Sequence, residues 1–229
     1  RASPHRPSPL RASSRRANPR RAKPPRASLP QTAPAARELP VRIVGGKFRG
    51  RSITAPDGRD TRPTTDRVRE AIFNRLEHGI PGFSLDGSRV LDLFAGTGAL
   101  GLEALSRGSQ HVLFIDNSET ARGIIRRNTD TLGVIGQCKL WRRDACSLGS
   151  CKPMSPFSLV FLDPPYGKGL AERALNSLVD GAWLVGNAVI VVEESAKTDV
   201  SAPDALTLLD EHRYGDTKVL TFQFSRADE

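Results

Sequence analysis

Cysteine, aromatic rings, long apolar runs and, over the first forty residues, acidic groups are what this 229-residue chain has little of, and each shortage removes a class of protein. The three cysteines, Cys138, Cys146 and Cys151, are odd in number and form no C-x-x-C pair, while the four histidines lie far apart. Neither a disulfide framework nor a metal site is therefore expected, and free thiols in a reducing compartment are the plain reading. No stretch approaches the roughly 18 consecutive apolar residues of a membrane helix, and no charged segment followed by an apolar core marks a secretory leader. The expectation is a cytoplasmic monomer.

Acid is scarcest in residues 1–40, where Glu38 alone faces nine arginines and Lys23. The same segment holds nine of the 17 prolines, and up to position 38 its only large aliphatic residues are Leu10 and Leu29. So little apolar surface cannot offset the entropy of ordering, and the composition predicts a disordered basic tail. Such an arm suits counterion-releasing contact with a polyanion. It also has the Arg-rich, acid-poor make-up of an organelle transit peptide, without the amphipathic periodicity; a tail with no role is the third reading. The tail carries the whole net charge of +9, because residues 41–229 balance.

From Val41 the chain offers one catalytic-size domain. Val41-Arg42-Ile43-Val44 and Arg51-Ser52-Ile53-Thr54 flank a Gly-rich linker and predict a hairpin. Residues 41–75 hold a local excess of five positive charges, which points this side toward nucleic acid. Pro63-Thr64-Thr65-Asp66 reads as a helix start with a threonine cap, the helix ending near Gly79. Beyond it, strand-like runs 89–94, 111–116, 139–142, 159–162 and 188–192 are interleaved with helix-like runs 99–106, 119–132 and 171–178, the pattern of a parallel α/β sheet. The runs 206–209 and 218–224, joined by the link 211–216, read as an antiparallel pair.

Two segments carry chemistry. The first is Asp92-Leu93-Phe94-Ala95-Gly96-Thr97-Gly98, a glycine turn between the first strong strand and its helix, where α/β sheets bind ligands. Gly96, Gly98 and Gly101 satisfy the dinucleotide spacing, but Asp92 inside the strand would repel a pyrophosphate and attract a cation. S-adenosylmethionine (SAM) has a sulfonium and an amino group, no phosphate, and a ribose whose hydroxyls suit Asp116 at the end of the next strand. Asp144, ending a third strand, could accept from the adenine amine, with Ala145 donating from its backbone. The plainer roles are turn capping by Asp92, helix capping by Asp116 and pairing of Asp144 with Arg143.

The second is Asp163-Pro164-Pro165-Tyr166, which stops an apolar strand. Prolines fix the turn, so that Asp163 and the Pro164 carbonyl could each accept one N–H of a nucleobase amine. Those acceptors aim its lone pair at a methyl donor and stabilise the charge that builds on nitrogen. The Tyr166 ring could stack on a base displaced from its neighbours. A DPP-aromatic turn also occurs as an ordinary strand-ending loop.

With these stand Arg42-Ile43-Val44-Gly45-Gly46, Arg49-Gly50-Arg51 and Arg62-Pro63-Thr64-Thr65-Asp66-Arg67-Val68-Arg69-Glu70-Ala71-Ile72-Phe73-Asn74. From about Arg42 to Phe224 the chain resembles the RsmD-type bacterial 16S rRNA guanine-N2 methyltransferases, within the class I SAM-dependent fold. The resemblance implies a Rossmann-like α/β sheet of seven strands in the order 3-2-1-4-5-7-6, the seventh antiparallel. It implies a tail over 1–40, an RNA-facing hairpin and helix over 41–80, and a methyltransferase domain over 81–229. SAM would lie on Asp92, Phe94, Ala95, Gly96, Gly98, Asp116, Asn117, Asp144 and Ala145, with catalysis at Asp163, Pro164, Pro165 and Tyr166. The 16S rRNA or the small subunit would be the partner, met by Lys47, Arg49, Arg51, Arg62, Thr64, Arg67 and Lys168. The alternatives are a DNA adenine-N6 methyltransferase, which the DPPY chemistry serves equally, and a non-catalytic RNA-binding assembly factor.

Overall fold

The structure, a computed structural model, describes residues 41–55 and 66–225. The tail over 1–40, the threonine cap and the candidates Arg62 and Thr64 lie outside the described residues. Strands β1 (Val41–Arg42) and β2 (Ser52–Ile53) pair antiparallel around a 3-10 turn at Gly46–Phe48, as the alternation predicts. Helix α1 (Asp66–His78) follows and buries Val68, Ile72, Phe73 and Leu76 at helical spacing.

The rest builds one sheet from β3 (Arg89–Leu93), β4 (His111–Ile115), β5 (Cys138–Trp141), β6 (Phe157–Leu162), β7 (Leu184–Ser195), β8 (Leu206–Tyr214) and β9 (Thr217–Phe224). Their order is β5-β4-β3-β6-β7-β9-β8, which in sheet-strand numbering is the expected 3-2-1-4-5-7-6. Strands β5 to β7 run parallel, and β9 runs antiparallel to both β7 and β8. Helices α2 (Ala99–Ser106), α3 (Glu119–Leu132) and α4 (Leu170–Asp180) occupy the crossovers.

Both sheet faces are covered, so the central strands are apolar without alternation. Val90, Val112, Phe114, Leu159 and Phe161 pack with α1, α2, α3 and the hairpin. Leu91, Leu93, Leu113, Ile115, Val160 and Leu162 face the other way, onto α4, Trp183 and the loop around Leu148. Among the described residues no helix is long and apolar enough to cross a membrane.

Three expectations are corrected. The link 211–216 is strand up to Tyr214, and the turn is only Gly215-Asp216, with Gly215 at φ 63°. Asp210, Glu211, His212 and Arg213 read as a loop because they are polar, but charges are what an edge strand carries to deter further pairing. Strand β7 extends from Leu184 to Ser195; Gly186 and left-handed Asn187, which punctuate the sequence, form an irregularity where the register against β6 shifts. Strand β5 closes at Trp141, so Asp144 lies beyond the strand it was expected to end.

Candidate active site at the carboxyl edge of the sheet

Register sets the site. Leu93 pairs with both Ile115 and Leu162, Ile115 with Trp141, and Leu162 with Val192. The next residue on four of these strands therefore leaves the sheet at one level: Phe94, Asp116, Arg142 and Asp163 form a row along the carboxyl edge, while at the same level Glu193 remains in β7, paired with Val219 of β9. Phe94 and Asp163 leave adjacent strands, whose spacing is about 5 Å. The glycine turn and the DPPY segment are thus brought together. A cavity of about 500 Å³ lies off this row, between Cys146, Ser147 and Ser150 of the loop after β5 and Arg173, Asn176 and Asp180 along α4, and no residue of the row lines it.

The glycine turn is folded back sharply. Phe94 takes φ 56°, a left-handed value uncommon outside glycine, and Gly96 and Gly98 follow at φ 55° and 76°. Asp116 braces it: one carboxylate oxygen accepts from the Gly96 amide at 2.9 Å and the other from Ser118 at 2.8 Å. Ser118, not Asp116, caps α3 by accepting from the Ala121 amide. Arg122 donates to the carbonyls of Asp116 and Asn117, holding the turn from behind. A Cβ at Gly96 would meet only the Phe94 carbonyl within reach, so the turn presents an open backbone face. With the carboxyl groups of Asp92 and Asp116 beneath and beside that face, its acceptors suit a ligand carrying amino and hydroxyl donors better than one carrying phosphates. Asp144 accepts from the Cys146 amide at 2.8 Å, and neighbouring Ala145 is buried. Arg143 donates to the Leu148 carbonyl.

Asp92 is 2% exposed and accepts from the Gly101 amide in the first turn of α2 at 3.0 Å. Burial pushes its pKa up to about 8; the Gly101 hydrogen bond opposes this and the nearby Asp116 charge adds to it. An ordinary aspartate titrates near 3.8. Between those values the folded state binds more protons than the unfolded one, so stability falls as pH rises through that window, by at most about 1.4 kcal/mol per pH unit. Asp92→Asn keeps an acceptor for Gly101 and is expected to abolish this slope. Urea denaturation of both proteins across the window checks it; identical slopes would mean that Asp92 is ionised in the fold.

At the DPPY turn, Asp163 and Tyr166 are half-buried, Pro164 is buried, and Pro165 and Lys168 are exposed. Tyr166 donates its hydroxyl to Glu193 at 2.6 Å, with Thr217 at 3.4 Å. Burial first, then the Glu193 charge and hydrogen bond, raise the pKa of Tyr166, so it stays a phenol. The Gly167 amide donates to Glu194 at 3.0 Å. Successive strand residues point to opposite sides, so Glu193 and Glu194 grip the turn from both sides of β7. Sequence reasoning missed both; two acids continuing the run Val189-Ile190-Val191-Val192 were the available signal.

The hairpin is not beside this row. Glu103 of α2, fully buried, accepts from the Val44 and Gly45 amides at 2.8 and 2.7 Å. Ser106 binds the Gly45 carbonyl and the Phe48 amide, and a Cβ on Gly46 would collide with the Ser106 carbonyl. The end of α2 lies at the amino edge of the sheet, so Lys47, Arg49 and Arg51 sit at the edge away from Asp163. Arg67, in the first turn of α1, is exposed. The hairpin's exit does reach the glycine turn: fully buried Asn128 bonds both backbone groups of Thr54 and donates to the Thr97 carbonyl at 2.9 Å.

Residues 41–223 match the family model described as conserved hypothetical protein 95. Ribosomal RNA small subunit methyltransferase D of Escherichia coli K12 is 40% identical over 157 residues, 69% of this chain and 76% of that protein. The chain belongs to the RsmD-type methyltransferase family. Its Haemophilus influenzae member, of the same name, is 36% identical over 181 residues, covering 76% of this chain and 89% of its own. The solved structure of the Escherichia coli protein yhhF superposes with a TM-score of 0.70 at 33% identity, covering 82% of this chain and 99% of its own. Membership of the RsmD-type family accounts for the mixed seven-stranded sheet with its antiparallel end.

Proposed function

We propose that this protein transfers the methyl group of SAM to the exocyclic N2 amine of a guanine in 16S rRNA, on an assembled or assembling small subunit. The observation that carries the reading is the common level at which Phe94 and Asp163 leave the adjacent strands β3 and β6. That level sets a glycine turn suited to amino and hydroxyl donors beside an amine-suited corner. The names of the family members supply the substrate class.

When bound, SAM supplies an electrophilic methyl carbon on a sulfonium centre. Asp92, Phe94, Ala95, Gly96 and Gly98, Asp116 with Asn117, and Asp144 with Ala145 would hold it, their carboxylates taking amino and hydroxyl donors. Asp163 and the Pro164 carbonyl accept the two hydrogens of the guanine amine. That pair draws the nitrogen toward tetrahedral geometry and stabilises positive charge as it forms there. Tyr166, its ring fixed at the hydroxyl end by Glu193, offers a flat face to the displaced base. Pro165 stiffens the corner between them. Arg67 and Lys168, both exposed, together with Arg62 and Thr64, are assigned to the RNA around the target.

Labelled SAM incubated with undermethylated small subunits, naked small-subunit rRNA and duplex DNA tests the reading. Label is expected in guanine N2 of the ribosomal substrates. Label confined to DNA adenine would overturn the substrate, and absence of SAM affinity would return the chain to a non-catalytic assembly factor.

A further inference from the structure

Asn128 is a polar side chain with no exposed surface, and its hydrogen bonds all go to the backbone of other segments. Its Oδ1 accepts from the Thr54 amide at 2.8 Å, while its Nδ2 donates to the Thr54 carbonyl at 3.0 Å and to the Thr97 carbonyl at 2.9 Å. Both N–H bonds of the side-chain amide are used. Turning that amide over would set its oxygen against two carbonyls and its nitrogen against an N–H, so only one orientation satisfies the group. A buried amide costs stability unless it is bonded, and packing alone would be served by an apolar side chain of that size. What asparagine adds is a join between two backbones.

The two backbones belong to different parts of the molecule: Thr54 follows β2 at the hairpin's exit, and Thr97 stands between Gly96 and Gly98 in the glycine turn. Helix α3 supports that turn along one face. Arg122 holds the carbonyls of Asp116 and Asn117, Ile125 packs behind Gly98, where an added Cβ would lie 3.3 Å from it, and Asn128 follows three residues on. Of the three, Asn128 is the one hydrogen-bonded to the hairpin's exit. The peptide between Thr97 and Gly98 is pinned at both ends, its N–H donating to the Ala95 carbonyl at 2.7 Å and its C=O accepting from Asn128. Glycines on either side of Thr97 give that peptide plane little steric hold. The bond from Asn128 therefore fixes which way the turn faces.

We infer that Asn128 is a positioning residue for the cofactor turn and that it couples this turn to the hairpin's exit. Thr54 and Thr97 draw on one side chain, so whatever loosens Thr54 loosens the amide that orients Thr97. A ligand that orders the turn from outside orders Thr54 through the same three bonds. Such coupling is reciprocal by thermodynamic necessity. The inference rests on the reading of the glycine turn as the SAM site, and it adds that a segment outside that site responds to the cofactor.

Hydrogen exchange of the unsubstituted protein is the first test. Saturating SAM should slow exchange at the Thr54 amide by about threefold or more, although Thr54 is not among the residues assigned to the cofactor. The Gly87 amide, bonded to the Gly108 carbonyl before β3, should not change, which separates coupling from general stabilisation by the ligand. In Asn128→Ala the effect of SAM on Thr54 should vanish. Calorimetry on that variant should find the SAM dissociation constant raised roughly three- to tenfold, the size of one hydrogen bond, with kcat at saturating SAM within about twofold of wild type. Thr54→Pro removes the N–H donor to Oδ1 from the hairpin side alone and should weaken SAM binding in the same direction, the double variant being no weaker than Asn128→Ala. If Asn128→Ala does not fold, the wild-type exchange and Thr54→Pro decide without it. A Thr54 amide indifferent to SAM in the wild type, or SAM affinity unmoved by Asn128→Ala, would overturn the coupling and leave the cofactor site standing. Calorimetry that finds no SAM binding to the unsubstituted protein would overturn the site and the inference together.

Discussion

Replacing Asp163 with alanine is expected to leave cofactor affinity unchanged and to lower turnover by about 10²–10³-fold, the loss typical when one preorganised partner of developing charge is removed. Asp163 leaves β6 on the far side of the β3–β6 pair from the Asp116 brace, so the cofactor turn keeps its own hydrogen bonds without it. Asp92→Ala should do the opposite. It withdraws the carboxylate beneath the glycine turn and leaves the Gly101 amide without its acceptor, so calorimetry should find cofactor binding lost. Tyr166→Phe is the internal control at the corner: it keeps the ring and gives up only the hydroxyl's contacts with Glu193 and Thr217, so its cost should fall on KM more than on kcat. Should Asp163→Ala retain normal turnover, the corner would not be the place of reaction, and the shared level of Phe94 and Asp163 would need another explanation.

How much of this was legible in the sequence depends on how local each determinant is. The glycine turn, its flanking strand and helix, and the proline-stiffened turn after β6 are written in consecutive residues, and they lie where pattern and spacing put them. Sheet order came only through the family resemblance, since strand periodicity says nothing about which strands are neighbours. The grip of Glu193 and Glu194 on Tyr166 and Gly167, 27 residues away in sequence for each bond, could not be read at all. The same holds for Asn128, which joins Thr54 to Thr97 across the fold. Position relative to the sheet edges was also hidden. A basic hairpin reads as nucleic-acid-facing from its charge, but only the docking of Gly45 and Phe48 on the end of α2 puts it on the edge away from the corner.

That docking leads to the largest expected effect on stability. Helix α2 buries Leu100, Gly101, Leu102, Ala104, Leu105 and Ser106, and among them Glu103 is also fully buried. A charge is tolerated there only with partners on every side. Glu103 has the Val44 and Gly45 amides, Arg107 at 2.8 Å and Arg69 at 3.7 Å, the last itself 1% exposed. Glu103→Ala strands two backbone donors and two arginines at once, although Arg69 keeps Asp66 and the Arg42 carbonyl, and Arg107 keeps Glu77. A loss of about 3–5 kcal/mol is expected, the range for breaking a buried charge pair from one side. Urea denaturation followed at Trp141 and Trp183 reads the global part of it, since both rings sit in the core on the other face of the sheet. Hydrogen exchange at the Val44 and Gly45 amides reads the local part, and those amides should exchange freely even where the sheet remains folded. If they stay protected in the variant, the hairpin is held by its apolar residues Val41, Ile43 and Ile53 alone, and the charged staple would then orient it without holding it down.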